Sequence, residues 1–436
     1  MIPLDPLIAP AGADPGFYSV SRPQKVSLDR IGKNAAWVCG AVVRGLKRDK
    51  CGMPATGLLS LLSGWRTAAV LGSLLITSWL PGLAAAPRGD ALAGNSSRDA
   101  RYIGMEYEVW FPGIPTQGPY GGEHYWEPRW GTPLLGTYDS TDPKVIDKHA
   151  EWLAAIGVDF VLIDWANNIA NALSGPTIVG DTIRERTNSV FQEYHRLQQR
   201  GAPHPRIAIL LGAQNQNGVA AQDTISSGSL NREADYVHDH FISKNPDLYF
   251  QYKGKPLLVI YLGTPAALNP PPSWSDPRFT VRWMSGFLES QPGLYGGLPA
   301  KNQFWSWMDR IPTPAHADQN VEAVTVTQAY PGQESWLDTT HRPPPRPRVG
   351  RDGASTFSIQ WRRAARYAPE IILLNQWNEF SNQDRSRPAT GDEYTIELSN
   401  DLEPTQELGC QPIRAVQKAV SSWKKVNLAP INCVIP

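Results

Sequence analysis

The chain is poor in several features that mark common biochemical classes. It has four cysteines in 436 residues, too few for a disulfide scaffold. No two of Cys39, Cys51, Cys410 and Cys433 are spaced as a zinc knuckle or a redox pair. Neither charge sign is in excess: Lys plus Arg and Asp plus Glu each number 41. That balance excludes a basic nucleic-acid binder and a polybasic membrane-surface protein. There is no Gly-rich dinucleotide fingerprint and no phosphate loop. The Gly-x-Ser-x-Gly elbow of a serine hydrolase is missing too. The only long apolar run, residues 68–80 (AAVLGSLLITSWL), is short for a membrane span of about 20 residues.

What the chain has is aromatic surface and loop formers. The 16 Trp, 15 Tyr and 11 Phe suit a cleft lined with flat apolar faces of the kind sugar rings need, although most must serve packing. The 39 Pro and 37 Gly point to long, rigid loops rather than a helical bundle. Residues 270–272 and 343–348 (PPPRPR) read as stiff surface segments. A hydrophobic fraction of 41% is enough for a substantial core. The length fits about three domains of roughly 150 residues, or one (β/α) barrel with insertions.

Around the apolar run, Arg66 precedes it, Pro81-Gly82 break it and Ala84–Ala86 follow. This is the layout of a secretory signal, with initiation at Met53 giving a well-proportioned one. Residues 1–52 then read as a mis-called start or a cytoplasmic tail, and 53–93 as a signal peptide or signal anchor. Asn95-Ser96-Ser97 is a glycosylation sequon. In an exported chain, Cys410 and Cys433 would close a loop and pin the last helix.

From residue 101 onward, apolar runs alternate with helical stretches. Strands are predicted at 102–111, 158–165, 206–212 and 255–263, then at 279–284, 303–308, 323–329 and 370–377. Helices are predicted at 143–156, 182–200, 231–244, 355–367 and 411–426. In the first of them Val145, Ile146, His149, Trp152, Leu153 and Ile156 share one face, so His149 is expected in the core. Continuous apolar strands imply burial on both faces, as in a parallel sheet. Eight of them favour an α/β fold, a (β/α)8 TIM barrel with long loops over residues 101–436.

In such a barrel the residues that end each strand face the active site. Those ends carry Glu106, Glu108 and Trp110, then Asp164, Trp165, Asn167 and Asn168. Later ends supply Gln214, Asn215, Tyr261, Trp305, Trp307, Asp309, Gln328 and Tyr330, and the last supplies Gln376, Trp377, Asn378 and Glu379. The set is carboxylates, carboxamides and aromatics with hardly a His or Cys, so no metal or organic cofactor is expected. Carboxylates amid Trp, Asn and Gln are what glycosidic bond cleavage requires. One carboxyl protonates the leaving oxygen, and a second acts as base or nucleophile.

The run 138–165 (YDSTDPKVIDKHAEWLAAIGVDFVLIDW) resembles the first helix and second strand of glycoside hydrolase family 99 and its relatives, among them family 71. Residues 107–111 and 126–136 (WEPRWGTPLLG) fit the same pattern. Leu374–Phe380 (LNQWNEF) is similar to the Trp-Asn-Glu-Trp segment that carries catalytic acid in family 99, and Leu402-Glu403-Pro404 matches a closing Leu-Glu-Pro. The resemblance implies that Glu379 is the first catalytic Glu. The position of the second is Asn382, which cannot act as an acid. A polar insertion, 381–392, precedes Glu397, which is expected to return to the site in that role, with Asp401 and Glu403 as rivals. In family 99 the resemblance implies participation of the substrate's own 2-hydroxyl on α-mannosides.

The expected catalytic residues are therefore Glu379, Glu397, Asp164 and Glu106. Expected substrate contacts are Glu108, Trp110, Trp165, Asn167, Tyr261, Trp305, Trp307, Gln328, Tyr330, Trp377, Asn378 and Glu403. Trp283, Trp336, Trp361 and Trp423 are expected to pack. Glu106 and Glu108 point one way along the first strand, and a buried acid pair is costly unless partnered. The function expected is an exported, monomeric glycoside hydrolase acting on a poly- or oligosaccharide, with no nucleic-acid partner and a membrane contact only if the signal stays uncleaved. Its rivals are a carbohydrate-binding barrel without catalysis and a membrane-anchored glycan-processing glycosidase.

Overall fold

The computed structural model describes residues 101–111, 126, 129–166, 178–213, 221–262, 273–286, 288, 302–330, 348–380 and 395–434. The chain divides into units Met1–Pro87 and Arg88–Pro436, and all described residues lie in the second. The readings of residues 1–52 and 53–93, the sequon, Asn167, Asn168, Gln214, Asn215 and Trp336 lie outside the described residues.

Strand β1 (Tyr102–Tyr107) is followed by helix α1 (Pro143–Ala155), and β2 (Phe160–Trp165) by α2 (Ile178–Gln199). After β3 (Arg206–Gly212) come α3 (Ala221–Ser226) and α4 (Ser229–Val237), which runs into a π-helical turn, His238–Ile242. Then follow β4 (Gln251–Tyr252), β5 (Lys255–Tyr261), β6 (Thr280–Ser285), β7 (Trp305–Ser306), β8 (Ala315–Ala317) and β9 (Asn320–Thr327). Helix α5 (Ser355–Arg366), β10 (Ile371–Asn375) and α6 (Gln411–Lys424) complete the order.

Eight strands pair in parallel in the order β7-β6-β5-β3-β2-β1-β10-β9, while β4 and β8 are antiparallel additions beside β5 and β9. Across the remaining gap the Thr325 hydroxyl, on β9, donates to the Ser306 carbonyl, on β7. This is a nearly closed (β/α)8 TIM barrel. All eight predicted strands are present, several of them shortened at one or both ends. The short antiparallel strands were not foreseen, because two or three residues carry no readable periodicity.

Local chemistry explains the helix that follows β1. Asp142 caps α1 by accepting the Lys144 amide at 2.9 Å, and Pro143 occupies the first turn. Gly157, at φ +78°, ends it. The period of two in each strand splits the core. Ile103, Met105, Val161, Ile163, Ile207, Ile209, Leu258, Ile260, Ile372 and Leu374 pack outward among the helices, with Trp283, Trp361 and Trp423 as expected. Phe160, Leu162, Ala208, Leu210, Leu257, Val259, Met284, Trp305, Ile371 and Leu373 fill the barrel. Gly104 makes room for that filling: a Cβ there would lie 2.5 Å from the Phe160 ring.

The last segment is pinned as the positions of its cysteines lead one to expect. A disulfide joins Cys410, at the start of α6, to Cys433. The Asn432 carbonyl beside it accepts Trp152 Nε1 at 2.8 Å and Lys148 Nζ at 3.2 Å. No helix among the described residues is long and apolar enough to cross a membrane.

Candidate active site

The C-terminal mouth of the barrel is built from the next inward positions above the apolar filling. Glu106 pairs in register with Leu162, Asp164 with Leu210, and Tyr261 with Met284. These three, with Asn375 at the end of β10 and Trp307 just past β7, form one layer. Trp307 Nε1 donates to Glu106 Oε1 at 2.6 Å, and Asn375 Nδ2 donates to Glu106 Oε2. Tyr261 packs beside Trp307 with ring centroids 5.9 Å apart. Glu108 follows β1 and returns to the same layer, so that carboxylate oxygens of Glu106, Glu108 and Asp164 all lie within 4.8 Å of one another.

Glu379 enters from the loop after β10. Asp401 shapes that loop by accepting the amides of Glu379 at 2.7 Å and Phe380 at 3.1 Å. The Ser399 hydroxyl holds Asp401 from the other side at 2.5 Å. Gln376 Nε2 donates to Glu379 Oε2. On the neighbouring residue, Asn378 bonds the main chain of Glu108 at two points, at 2.9 and 3.0 Å. Glu379 and the end of β1 are therefore tied together through adjacent residues.

Burial dominates the electrostatics of the mouth. It raises Glu106 well above the usual carboxylate range, the Asp164 charge adds to this, and the Trp307 and Asn375 donors pull the other way. Glu379 is raised by burial, reinforced by Asp401, Glu106 and Asp164 and opposed by the Gln376 amide. Glu108 is raised by burial and by the charges of Asp164, Glu106 and Glu379. Asp164 is lifted by burial only to about 6, because the Ala166 amide and a proton donated by Glu108 favour its ionised form. Burial thus makes both acids harder to ionise, and their mutual hydrogen bond favours the ionised form of Asp164 over that of Glu108. Environments that push neighbouring carboxyls apart in this way separate acids from bases.

Glu106, Glu108 and Asp164 are also the described residues able to hold a hard cation, since they offer oxygen ligands only. Their present bonding is different in kind. Both Glu106 oxygens accept side-chain N–H groups, and Glu108 is paired with Asp164 by a side-chain hydrogen bond.

Of the residues expected from sequence, Glu106, Glu108, Asp164, Tyr261, Trp307 and Glu379 come together. Glu397 does not join them. It lies on a one-turn 3-10 helix, Ile396–Leu398, where its carboxylate accepts the Asp352 amide at 2.6 Å. Asp401, named as its rival, is the carboxylate beside Glu379. Glu403 is fully buried against Tyr138 and His149. Trp165 points outward and donates to Thr187 at 2.9 Å, because it stands one residue after inward-facing Asp164. Trp305 lies a layer below the mouth, bonded to Glu322 at 3.0 Å. Trp377 packs against His149 and Trp152. Trp110 belongs to a buried cluster with Phe111, Trp126 and Phe380. Tyr330 packs against Met308, and Gln328, after β9, is buried. Asn375 was missed, although its place at a strand end was a readable signal.

No family model matches the chain, and no curated protein does. Solved structures do. The GH99 endo-alpha-mannosidase from Bacteroides thetaiotaomicron, in complex with bis-tris propane, is 16% identical at a TM-score of 0.48, over 74% of this chain and 97% of that one. A second structure of that enzyme gives 16%, 0.46, 77% and 100% in the same order. A glycoside hydrolase-like protein gives 12%, 0.46, 76% and 97%.

Proposed function

We propose that this barrel is an exported glycoside hydrolase that cleaves glycosidic bonds in a poly- or oligosaccharide by paired-carboxylate chemistry. One observation carries the reading. A single barrel mouth gathers buried carboxyls, Glu379 beside the Glu106, Glu108 and Asp164 cluster, with N–H donors set on Glu106 by Trp307 and Asn375 and on Glu379 by Gln376. Glu379 acts as general acid on the leaving oxygen, since its raised affinity for a proton suits donation near neutral pH. Asp164, at about 6, and Glu106, braced by Trp307 and Asn375, face the positive charge that grows on the anomeric carbon. Trp307 and Tyr261 offer ring faces to the sugar. The chemistry calls for no metal or organic cofactor. The Cys410–Cys433 disulfide supports export, because such bonds persist in oxidising compartments.

The test is release of reducing ends by the protein from residue 94 onward. The panel holds α- and β-linked glucans, mannans, arabinans and galactans, with Glu379→Gln assayed in parallel. Release by wild type that is lost in the variant is the expected result. Release that survives Glu379→Gln overturns the assignment of the acid. Binding to a glycan without any release identifies a carbohydrate-binding barrel instead.

A further inference from the structure

A buried chain of polar groups runs behind the mouth, and none of its inner members touches the carboxylate cluster. It begins at Tyr107, whose hydroxyl lies 2.9 Å from His149 Nδ1. His149 Nε2 lies 3.2 Å from Glu403 Oε1. The Tyr138 hydroxyl donates to Glu403 Oε2 at 2.7 Å, and Asn378 Nδ2 donates to the Tyr138 oxygen at 3.0 Å. Asn378 then makes its two bonds to Glu108: Oδ1 accepts the amide and Nδ2 donates to the carbonyl. All five side chains are at least nine-tenths buried. They come from β1, the loop before α1, α1 itself and the two loops that follow β10.

The direction of this chain is fixed by proton counting. Glu403 is a carboxylate with no exposure, and it accepts the one proton that Tyr138 has to give. The Tyr138 oxygen is left as an acceptor, so Asn378 must turn its NH2 group toward it. That choice aims Oδ1 at the Glu108 amide. Were the carboxamide reversed, two acceptors would meet at Tyr138 and two donors at Glu108. The adjacent residue, Glu379, is the proposed acid, and Glu108 shares the cluster with Glu106 and Asp164. We propose that Tyr138, Glu403 and His149 are positioning residues: they lock the orientation of Asn378 and so set the spacing between Glu379 and the acids at the end of β1.

The proposal rests on the glycosidase reading only for its kinetic arm, and amide exchange tests it independently. Tyr138→Phe keeps the ring and removes both bonds of the hydroxyl. Exchange at the Glu108 amide is expected to speed up about tenfold, while the amides of Ile103 and Met105 in β1 stay as protected as in wild type. If the wild type turns over a glycan, kcat is expected to fall about tenfold to a hundredfold with KM little changed, since binding groups remain and only alignment is lost. Unchanged exchange at Glu108, or unchanged kcat in a folded variant, overturns the proposal. Absence of turnover in wild type overturns the glycosidase reading but leaves the exchange result to decide this one. Should Tyr138→Phe not fold, Glu403→Met takes its place. It keeps the length of the side chain and removes the acceptor of the Tyr138 proton, and the same loss of protection at Glu108 is expected.

Discussion

Trp307 gives its indole N–H to Glu106 at 2.6 Å across the barrel mouth, linking the end of β7 to the end of β1. Asn375 donates to the other oxygen of the same carboxylate. The two donors favour the ionised form in a place where burial and the neighbouring Asp164 charge disfavour it. Glu106 is thereby the carboxylate of the mouth with the most complete set of neutral N–H partners.

Replacing Trp307 with Phe keeps an aromatic face but removes that donor. A hydrogen bond to a charged group contributes roughly 1.5–3 kcal/mol. Glu106 should then hold its proton to higher pH, and kcat/KM should fall about tenfold or more. The acid limb of the pH–rate profile is expected to move upward. An unmoved limb would remove Glu106 from the set of groups that titrate during turnover.

Asp164 sets the pH at which the site becomes competent and also costs stability. Its proton affinity is higher in the folded chain, about 6 against 3.8, so the native state binds more protons between those values. Stability from this group therefore falls as pH rises from about 4 to 6 and stays reduced above. Asp164→Asn should be more stable than wild type at pH 8, by roughly 2–3 kcal/mol, with the gain shrinking toward pH 4. Thermal unfolding at the two pH values measures it. The same variant should lose most activity, a common trade at functional sites.

At the opposite end of the barrel, Glu322 has the reverse dependence. Burial would raise its carboxyl, but the Arg282 hydrogen bonds at 2.6 Å, with Lys253 and Trp305, outweigh it and hold the group at about 2. Its contribution is fully present above pH 4.5 and is lost as pH falls toward 2. Arg282→Met should cost about 3–5 kcal/mol at neutral pH, because it strips a buried carboxylate of its main partner. Denaturant unfolding of the variant between pH 3 and 7 would expose both the loss and its flattening in acid.

The disulfide offers a separate handle on the C-terminal segment. Cys410 and Cys433 are 23 residues apart, and closing such a loop stabilises by roughly 3 kcal/mol through the unfolded chain. The double variant Cys410→Ser, Cys433→Ser should lose about that much in urea denaturation. Trp152 should also lose its bond to Asn432, and its fluorescence is the local reporter.

Much of the barrel was legible because strands buried on both faces are written as continuous apolar runs, and the helices between them as a 3.6-residue stripe. Asp142-Pro143 and Gly157 mark the start and stop of α1 in the sequence itself. Glu106, Asp164, Tyr261, Trp307 and Glu379 stand out in the amino-acid order alone, as polar or aromatic residues at or near the ends of apolar runs. The disulfide was legible too, as the two cysteines flanking the last helix.

Tertiary structure decided which neighbour of each pair faces the mouth. Asp164 and Trp165 are equally good candidates from composition, while Trp305 and Trp307 share a face and differ only in depth. A period of two gives the alternation but not its phase, which depends on the register of eight strands around the barrel. Only the fold put Asp401 beside Glu379 and left Glu397 capping Asp352. It also turned His149 and Glu403, 254 positions apart by their numbers, into one buried pair. Sequence by itself determined which segments become strands and helices, because local periodicity and capping are properties of adjacent residues. The partners of the buried carboxyls were decided later, by hydrogen bonds that exist only once distant segments have closed around them.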